Sequence, residues 1–243
     1  MTRIAVMSDI HGNAVALDVA LADIDRAGVD QIVCLGDAIQ GGAQPAQTVA
    51  RLRELACPVV MGNADAWLLS GVETGSETIS EEQEAVRQWS LAQLSEADRA
   101  YIAAFTPTVV VLLTPERDLL CFHGSPTSFD DILLPNSSEE EYERLLGPYA
   151  PAIMCGGHTH WQQVHRLGAT FFFNPGSVGL AYNHNQPEDL FRLDPWAEYA
   201  ILSETDGTLG LEFRRVPVQV DVIRQALRDS GRPNAEAFLA QYE

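Results

Sequence analysis

Five short apolar runs of this chain end on polar side chains, and helical stretches separate the first of them. "RIAVM" (3–7) precedes "NAVALDVALADIDRAG" (13–28), where Val15, Leu17, Leu21 and Ile24 recur at roughly helical spacing and Gly28 closes the pattern. "QIVCL" (31–35) and "PAQTVARLREL" (45–55) repeat the unit, with Pro45 near the helix start, and "CPVVM" (57–61) reads as a third strand. Strand–helix alternation at this spacing predicts a parallel or mixed sheet with helices on its faces. Residues 64–106 break the rhythm. Ser80 with Gln83, and Ser95 with Asp98, form capping-box patterns opening two helices, which predicts a helical insertion.

Strands resume at "TVVVLLT" (108–114) and "DLLCF" (118–122), a helix is expected near "SSEEEYERLLG" (137–147), and strands follow at "AIMC" (152–155), "QQVHRL" (162–167) and "TFFFN" (170–174). Asp206-Gly207 inside "AEYAILSETDGTLGLEFRRV" (197–216) is a hairpin signal. Two helices, "DVIRQALRDSG" (221–231) and "NAEAFLAQY" (234–242), complete the pattern. With no internal repeat, low-complexity tract or linker, one domain spanning 1–243 is expected.

The polar endings matter more than the runs. "RIAVMSDIHG" delivers Asp9 and His11, "QIVCLGD" delivers Asp37, and "PVVMGNAD" delivers Asn63. "LLCFHG" delivers His123, and "AIMCGGHTH" delivers His158 and His160. Loops leaving the carboxyl ends of strands in an open α/β sheet line a common crevice, so these endings can converge. Each has an ordinary reading alone: Asp37 and Asn63 as turn residues, His123 as a core histidine. Together they do not, because four of the chain's six histidines fall in these endings. Imidazoles with carboxylates and an amide suit Mn, Fe, Zn or Ni, and are too nitrogen-rich for Ca or Mg. Seven ligands are too many for one ion. They suit two, with one carboxylate shared.

Composition narrows the chemistry further. Fifteen basic residues against 34 acidic give a net charge of −19, which repels phosphate polymers and disfavours nucleic-acid binding. The chain has no lysine, which removes Schiff-base chemistry and the P-loop lysine. Phosphate chemistry would need its positive charge from elsewhere, and bound metal is the obvious source. Cys34, Cys57, Cys121 and Cys155 are scattered through apolar runs without a CxxC, as expected for buried free thiols in a reducing cytoplasm. No apolar stretch approaches the ~20 residues of a membrane span. "MTRIAVMSDIHG" reads as a first strand, not a signal peptide.

"DIHG", "GD", "GN", "HG" and "GHTH", in that order, resemble the five blocks of the calcineurin-like metallophosphoesterases. The match runs from Met1 to about Val178, and "NPGSVG" (174–179) is similar to the bacterial and archaeal phosphodiesterase branch. The resemblance implies an α/β fold, a four-layer αββα sandwich of two mixed sheets flanked by helices. It implies two divalent transition-metal ions, manganese foremost. Asp9, His11, Asp37 and His160 would hold one ion; Asp37, Asn63, His123 and His158 would hold the other. Asp37, Asn63 and His158 would be the catalytic residues around a metal-bridging hydroxide that attacks phosphorus.

The resemblance also implies a small phosphate ester or nucleotide as substrate and a dinuclear phosphodiesterase as the activity. The alternatives are a phosphomonoesterase, a protein serine/threonine phosphatase, or a non-catalytic metal-binding scaffold of the same fold. Two departures bear on them. The protein-phosphatase branch follows GD with an Asp-Arg-Gly stretch whose arginine grips phosphate, and this chain has Gln40, Gly41 and Gly42 there. Many relatives carry a general-acid histidine after the asparagine, and this chain has Ala64. His184 is the candidate replacement acid; Trp67, Trp161, Tyr182 and Trp196 are candidates for a base-stacking wall.

Overall fold

Alternate side chains of one strand point to opposite faces, and here each face has its own apolar partner. In the computed structural model, which describes residues 1–75, 78–149, 153–187 and 190–242, strand β1 (Thr2–Met7) shows this directly. Ile4 and Val6 pack between two sheets with Val33, Leu119, Cys121, Phe173 and Leu202. Ala5 and Met7 face the other way, onto Leu17, Ala20 and Ile24 of helix α1 (Ala14–Ala27). The second sheet behaves likewise. Cys121 of β4 (Arg117–Cys121) points inward, while the adjoining Phe122 packs outward against Tyr142 and Leu146 of α6 (Glu139–Leu146). Helix, sheet, sheet, helix is therefore the layer order the resemblance implies.

The first sheet also contains β2 (Gln31–Cys34), β8 (Trp196–Thr205) and β9 (Thr208–Pro217), in the order β2-β1-β8-β9. The second runs β3-β4-β5-β7-β6, with β3 (Val109–Thr114), β5 (Ile153–Cys155), β6 (Gln163–Leu167) and β7 (Thr170–Asn174). Both sheets are mixed: β1–β2, β4–β5 and β5–β7 are parallel, and the other pairs are antiparallel. Asp206 and Gly207 close the β8–β9 hairpin with φ of 51° and 83°, the left-handed pair such a tight turn requires.

The insertion is helical, comprising α3 (Asn63–Ser70), α4 (Glu81–Gln93) and α5 (Glu96–Ala103), after α2 (Pro45–Leu55). Both expected capping boxes are formed, and Ser138 with Glu141 makes a third at α6. Residues 57–61 differ from the expected third strand. Val59 bridges to Cys34 on one side and Val60 to Thr106 on the other, so the segment is wedged between neighbours without a ladder of its own. Of "AIMC", Ala152 lies outside the described residues. After α7 (Val220–Ser230), the last expected helix is only α8 (Ala235–Leu239) followed by a 3₁₀ turn. All four cysteines are free; Cys57 is half-buried rather than buried, and the Cys121 and Cys155 sulfurs lie 3.4 Å apart. No helix among the described residues is long and apolar enough to cross a membrane.

Candidate metal centre

The sheet's hydrogen bonding continues past the strand ends and locks the loops together. Asp9 N donates to Gly36 O (3.0 Å), His11 N to Asp37 O (2.8 Å) and Gly12 N to Ala38 O (2.9 Å). Asp9, His11, Asp37, His158 and His160 all have φ between 48° and 67°. A non-glycine residue there costs about 1–3 kcal/mol and persists only where the surroundings over-determine it. Five of the eight such residues among those described are ones the sequence singles out. Gly62 has a steric reason of its own: a Cβ there would collide with the Asp37 carboxylate.

Two groups of ligand-type atoms result, Asp9–His11–His160 and Asp37–His123–His158, each with its atoms within 4.8 Å of one another. Asp37 faces both. Its Oδ2 lies 3.4 Å from His123 Nε2 and 3.8 Å from His11 Nε2, while Oδ1 accepts a hydrogen bond from Ala64 N (2.8 Å). Asp9 Oδ2 accepts from His158 N (3.1 Å). Asp9 Oδ1 is buried without a hydrogen-bond partner; His160 Nε2 at 3.3 Å and His11 Nε2 at 3.9 Å face it. Asn63 Oδ1 is 3.0 Å from His123 Nε2. All seven expected ligand residues are thus brought together.

The donor set fits divalent ions, for a reason visible in the imidazoles. Nδ1 of His11, His123 and His160 faces the carbonyl oxygens of Gln40 (2.9 Å), Leu35 (2.8 Å) and Leu180 (2.9 Å). A carbonyl only accepts, so each Nδ1 carries the proton and each neutral ring presents an Nε2 lone pair to the centre. His11 Nε2 and His160 Nε2 lie 3.1 Å apart. Two lone pairs at that separation repel unless a cation or proton stands between them. The four rings, two carboxylates and unpartnered Asp9 oxygen make a site built for cations.

The electrostatics show how strongly the centre draws positive charge, a proton on His123 included. Burial opposes the charge on His123, but the Asp37 carboxylate overrides it and pushes the ring up to about 9. Burial also opposes ionisation of Asp37, yet His123 and its neighbours hold that carboxyl well below the usual range. His158 goes the other way, down to about 4, through burial and the adjacent His123. Among the described residues its ring has no hydrogen-bond partner, so His158 is the least anchored of the four rings.

Supporting residues stand behind the ligands, and of these Asp65 alone carries no signal in the sequence, whereas Asn174 and Ser177 belong to "NPGSVG". Asp65 is buried and accepts from Ala38 N (3.0 Å) and Ile39 N (2.9 Å), fixing the loop that carries Asp37. Asn174 Nδ2 donates to Gly157 O (2.6 Å) and Thr159 Oγ1 (3.1 Å), holding the segment between the two histidines. Ser177 Oγ donates to Asp9 O (2.8 Å), so "NPGSVG" clamps the first loop. A buried polar residue can be found only once its burial is known.

Beside the centre opens a cleft of about 420 Å³, lined by His11, Asp37, Asn63, Ala64, Trp67 and, from the far end of the chain, Arg232. His184 is not part of it. It stacks on Trp161 (4.3 Å between ring centroids) and Tyr182 (4.1 Å) beside a separate cleft of about 370 Å³. The expected aromatic wall is split too: Trp67 lines the first cleft, and Trp161, Tyr182 and Trp196 line the second. His184 therefore does not share the cleft that Ala64 lines.

Residues 2–194 match the calcineurin-like phosphoesterase superfamily domain. The chain belongs to that superfamily. It is 47% identical over 222 residues to an uncharacterised protein of Methanocaldococcus jannaschii, covering 84% of each chain. It is 25% identical over 197 residues to the phosphodiesterase YfcE of Escherichia coli, covering 76% of this chain and 84% of that one. A metallophosphoesterase from Sphaerobacter thermophilus shares the fold at a TM-score of 0.73 and 23% identity, over 99% of this chain and 98% of the other. As a superfamily member with two candidate metal-ligand groups, the protein has the parts of a metal-dependent phosphoesterase.

Proposed function

We propose that this chain is a dinuclear metal-dependent phosphodiesterase acting on a small phosphate ester or nucleotide. The observation that carries the reading is Asp37 Oδ2, one oxygen facing an imidazole of each ligand group. Asp9, His11, Asp37 and His160 would hold one ion; Asp37, Asn63, His123 and His158 the other. Two divalent ions held there supply an activated water nucleophile and positive charge for the phosphate oxygens. The chain's residues supply the geometry. Carbonyls behind three rings fix their tautomers, and Ala64 N fixes the Asp37 carboxylate. Asp37, Asn63 and His158 would be the catalytic residues around the phosphate.

A diester is favoured over a monoester because Glu73 and Glu82 line the cleft and a dianionic monoester adds charge to it. Gln40, Gly41 and Gly42, where the protein-phosphatase pattern has Asp-Arg-Gly, favour the same choice. The net charge of −19 disfavours a nucleic-acid polymer as substrate. Free thiols fit a cytoplasmic protein, and one domain of residues 1–243 fits a sequence without internal repeat, low-complexity tract or linker. Manganese is the proposed metal, with Fe, Zn and Ni as alternatives suited to the same donors. The test is kcat/KM for a nitrophenyl diester against the matching monoester with saturating Mn. Diester preference is expected; a tenfold monoester preference would overturn the assignment.

A further inference from the structure

Arg232 is the only arginine among the described residues lining the large cleft. It arrives from the turn between α7 and α8, which Gly231 (φ 70°) and Asn234 (φ 58°) shape through left-handed backbone. Its Nε donates to Gly41 O (2.7 Å), its Nη1 donates to Pro233 O (2.9 Å), and its guanidinium lies 4.5 Å over the Phe238 ring. Two of its five N–H groups are thereby used, and both on Nη2 remain. No carboxylate among the described residues pairs with it, and burial without such a partner lowers it to about 10. In a chain of net charge −19, with acids to spare, a half-buried guanidinium left unpaired beside the ligand groups is poised for an anion from outside.

Its position selects which anion. Gly41 adjoins Gln40, whose carbonyl accepts from His11 Nδ1, on the side of the ring away from the centre. Arg232 is therefore tied to the loop whose Gln40 backs the His11 ring, and it lines the cleft without belonging to either ligand group. A substrate with its phosphorus at those groups would reach the guanidinium with its next charged group, along the same cleft. The guanidinium fork matches phosphate and carboxylate in two-point contact. We propose that Arg232 receives a second anionic group of the substrate, a phosphate or carboxylate set away from the phosphorus that reacts. This inference rests on the phosphoesterase reading of the centre.

The test separates the two. Titration calorimetry of the full, Mn-loaded chain would compare thymidine 5′-methylenephosphonate, whose P–C bond is not hydrolysed, with its 3′-phosphate and 3′-carboxymethyl derivatives. A charge-assisted hydrogen bond of ordinary strength is worth about tenfold or more in affinity. Tighter binding of at least one doubly charged ligand by about that factor is expected in the wild type, and the better one identifies the group. Arg232→Gln should abolish the preference and Arg232→Lys should keep part of it. Equal affinities in the wild type, a preference surviving Arg232→Gln, or equal weakening of all three ligands would overturn the proposal; the last would mark Arg232 as an anchor of the 37–42 loop. The 5′-nitrophenyl esters of the corresponding nucleotides, with Mn, report on the reading beneath. No turnover with the calorimetric preference intact would sink the phosphodiesterase and leave the anion site standing. Turnover without any preference would do the reverse.

Discussion

The metal centre and the rim of its cleft lie side by side but are built on different terms. In the centre six of the seven ligands follow a strand end and Asn63 opens α3, five hold left-handed backbone, and three rings are fixed from behind by carbonyls. The rim is assembled from separate helices, the rest of α3 with α4 on one side and the α7–α8 turn on the other. Its tie from the far end of the chain is the bond from Arg232 to Gly41, across 191 positions. Rigid preorganisation is needed where charge must be focused on one phosphorus. A rim has only to fit what hangs from it, and helices can be exchanged there without disturbing the sheets. The comparison teaches that chemistry resides in the loops and selectivity in the helices around them.

The largest blow to the centre would come through Asp37. Asp37→Asn removes charge from the one oxygen that faces both groups, so metal content after Mn loading should fall from near two equivalents in the wild type by more than one. Metal-assisted stabilisation is worth several kcal/mol, so kcat/KM should drop by about 10³-fold or more. Elemental analysis and diester kinetics check both. Wild-type stoichiometry of one or less, with the variant harmless, would dissolve the dinuclear centre and the comparison with it.

Ala64 lies on the boundary between the regions, its N–H serving the centre and its side chain facing the cleft. With alanine there and His184 in the other cleft, expulsion of an alkoxide would lack the usual positioned proton donor, a contribution of about 10²- to 10⁴-fold. Wild-type rates should therefore depend steeply on leaving-group pKa. Ala64→His should flatten that dependence, raising the rate for poor leaving groups by about 10²-fold at the low end of that range. A shallow wild-type slope would show that protonation comes from elsewhere.

Asp65→Asn probes how far the rigidity of the centre depends on its surroundings. The amide can still accept one of the two backbone N–H groups that Asp65 satisfies, but not both. Leaving a buried donor unpaired costs about 1–3 kcal/mol, and partners standing behind metal ligands typically carry about 10- to 100-fold in affinity or activity. A lowered Tm with weaker Mn binding is expected. A variant with unchanged Mn affinity would show that the Asp37 loop holds its shape without that clamp.

The same division explains what could be read in advance. The ligands were legible because each follows an apolar run that leads out of the core into a loop, and loops leaving neighbouring strands of a sheet converge. The layer order followed from the alternation of residues such as Ile4 and Ala5 once two sheets were implied. Residues 57–61 misled because an apolar run shows burial but not whether neighbours leave room for a ladder. Asp65 was invisible because polarity alone does not reveal burial, and "NPGSVG" was visible only as a motif, without the clamp that Asn174 and Ser177 make. Arg232 was hidden by distance: nothing in "GRPN" (231–234) names Gly41 as its partner, although an arginine fixed between turn residues, with no acid beside it in the chain, was a clue of sorts.

The smallest effect should come from His184, and it sharpens the boundary of the site. From sequence this histidine was the one candidate to replace the acid missing at Ala64. In the structure its ring is held between Trp161 and Tyr182 and lines the neighbouring cleft, with His160 common to that cleft and the metal centre. A proton donor must come within hydrogen-bond reach of the leaving oxygen. A substrate lying in the cleft of Ala64 and Arg232 would not meet the His184 ring, which lines the other cleft. His184→Ala should then leave the leaving-group slope unchanged and shift kcat/KM by no more than about twofold, the usual scale of a substitution outside the site. A steepened slope in that variant would mean that substrates enter by the second cleft, reversing the roles of the two rims.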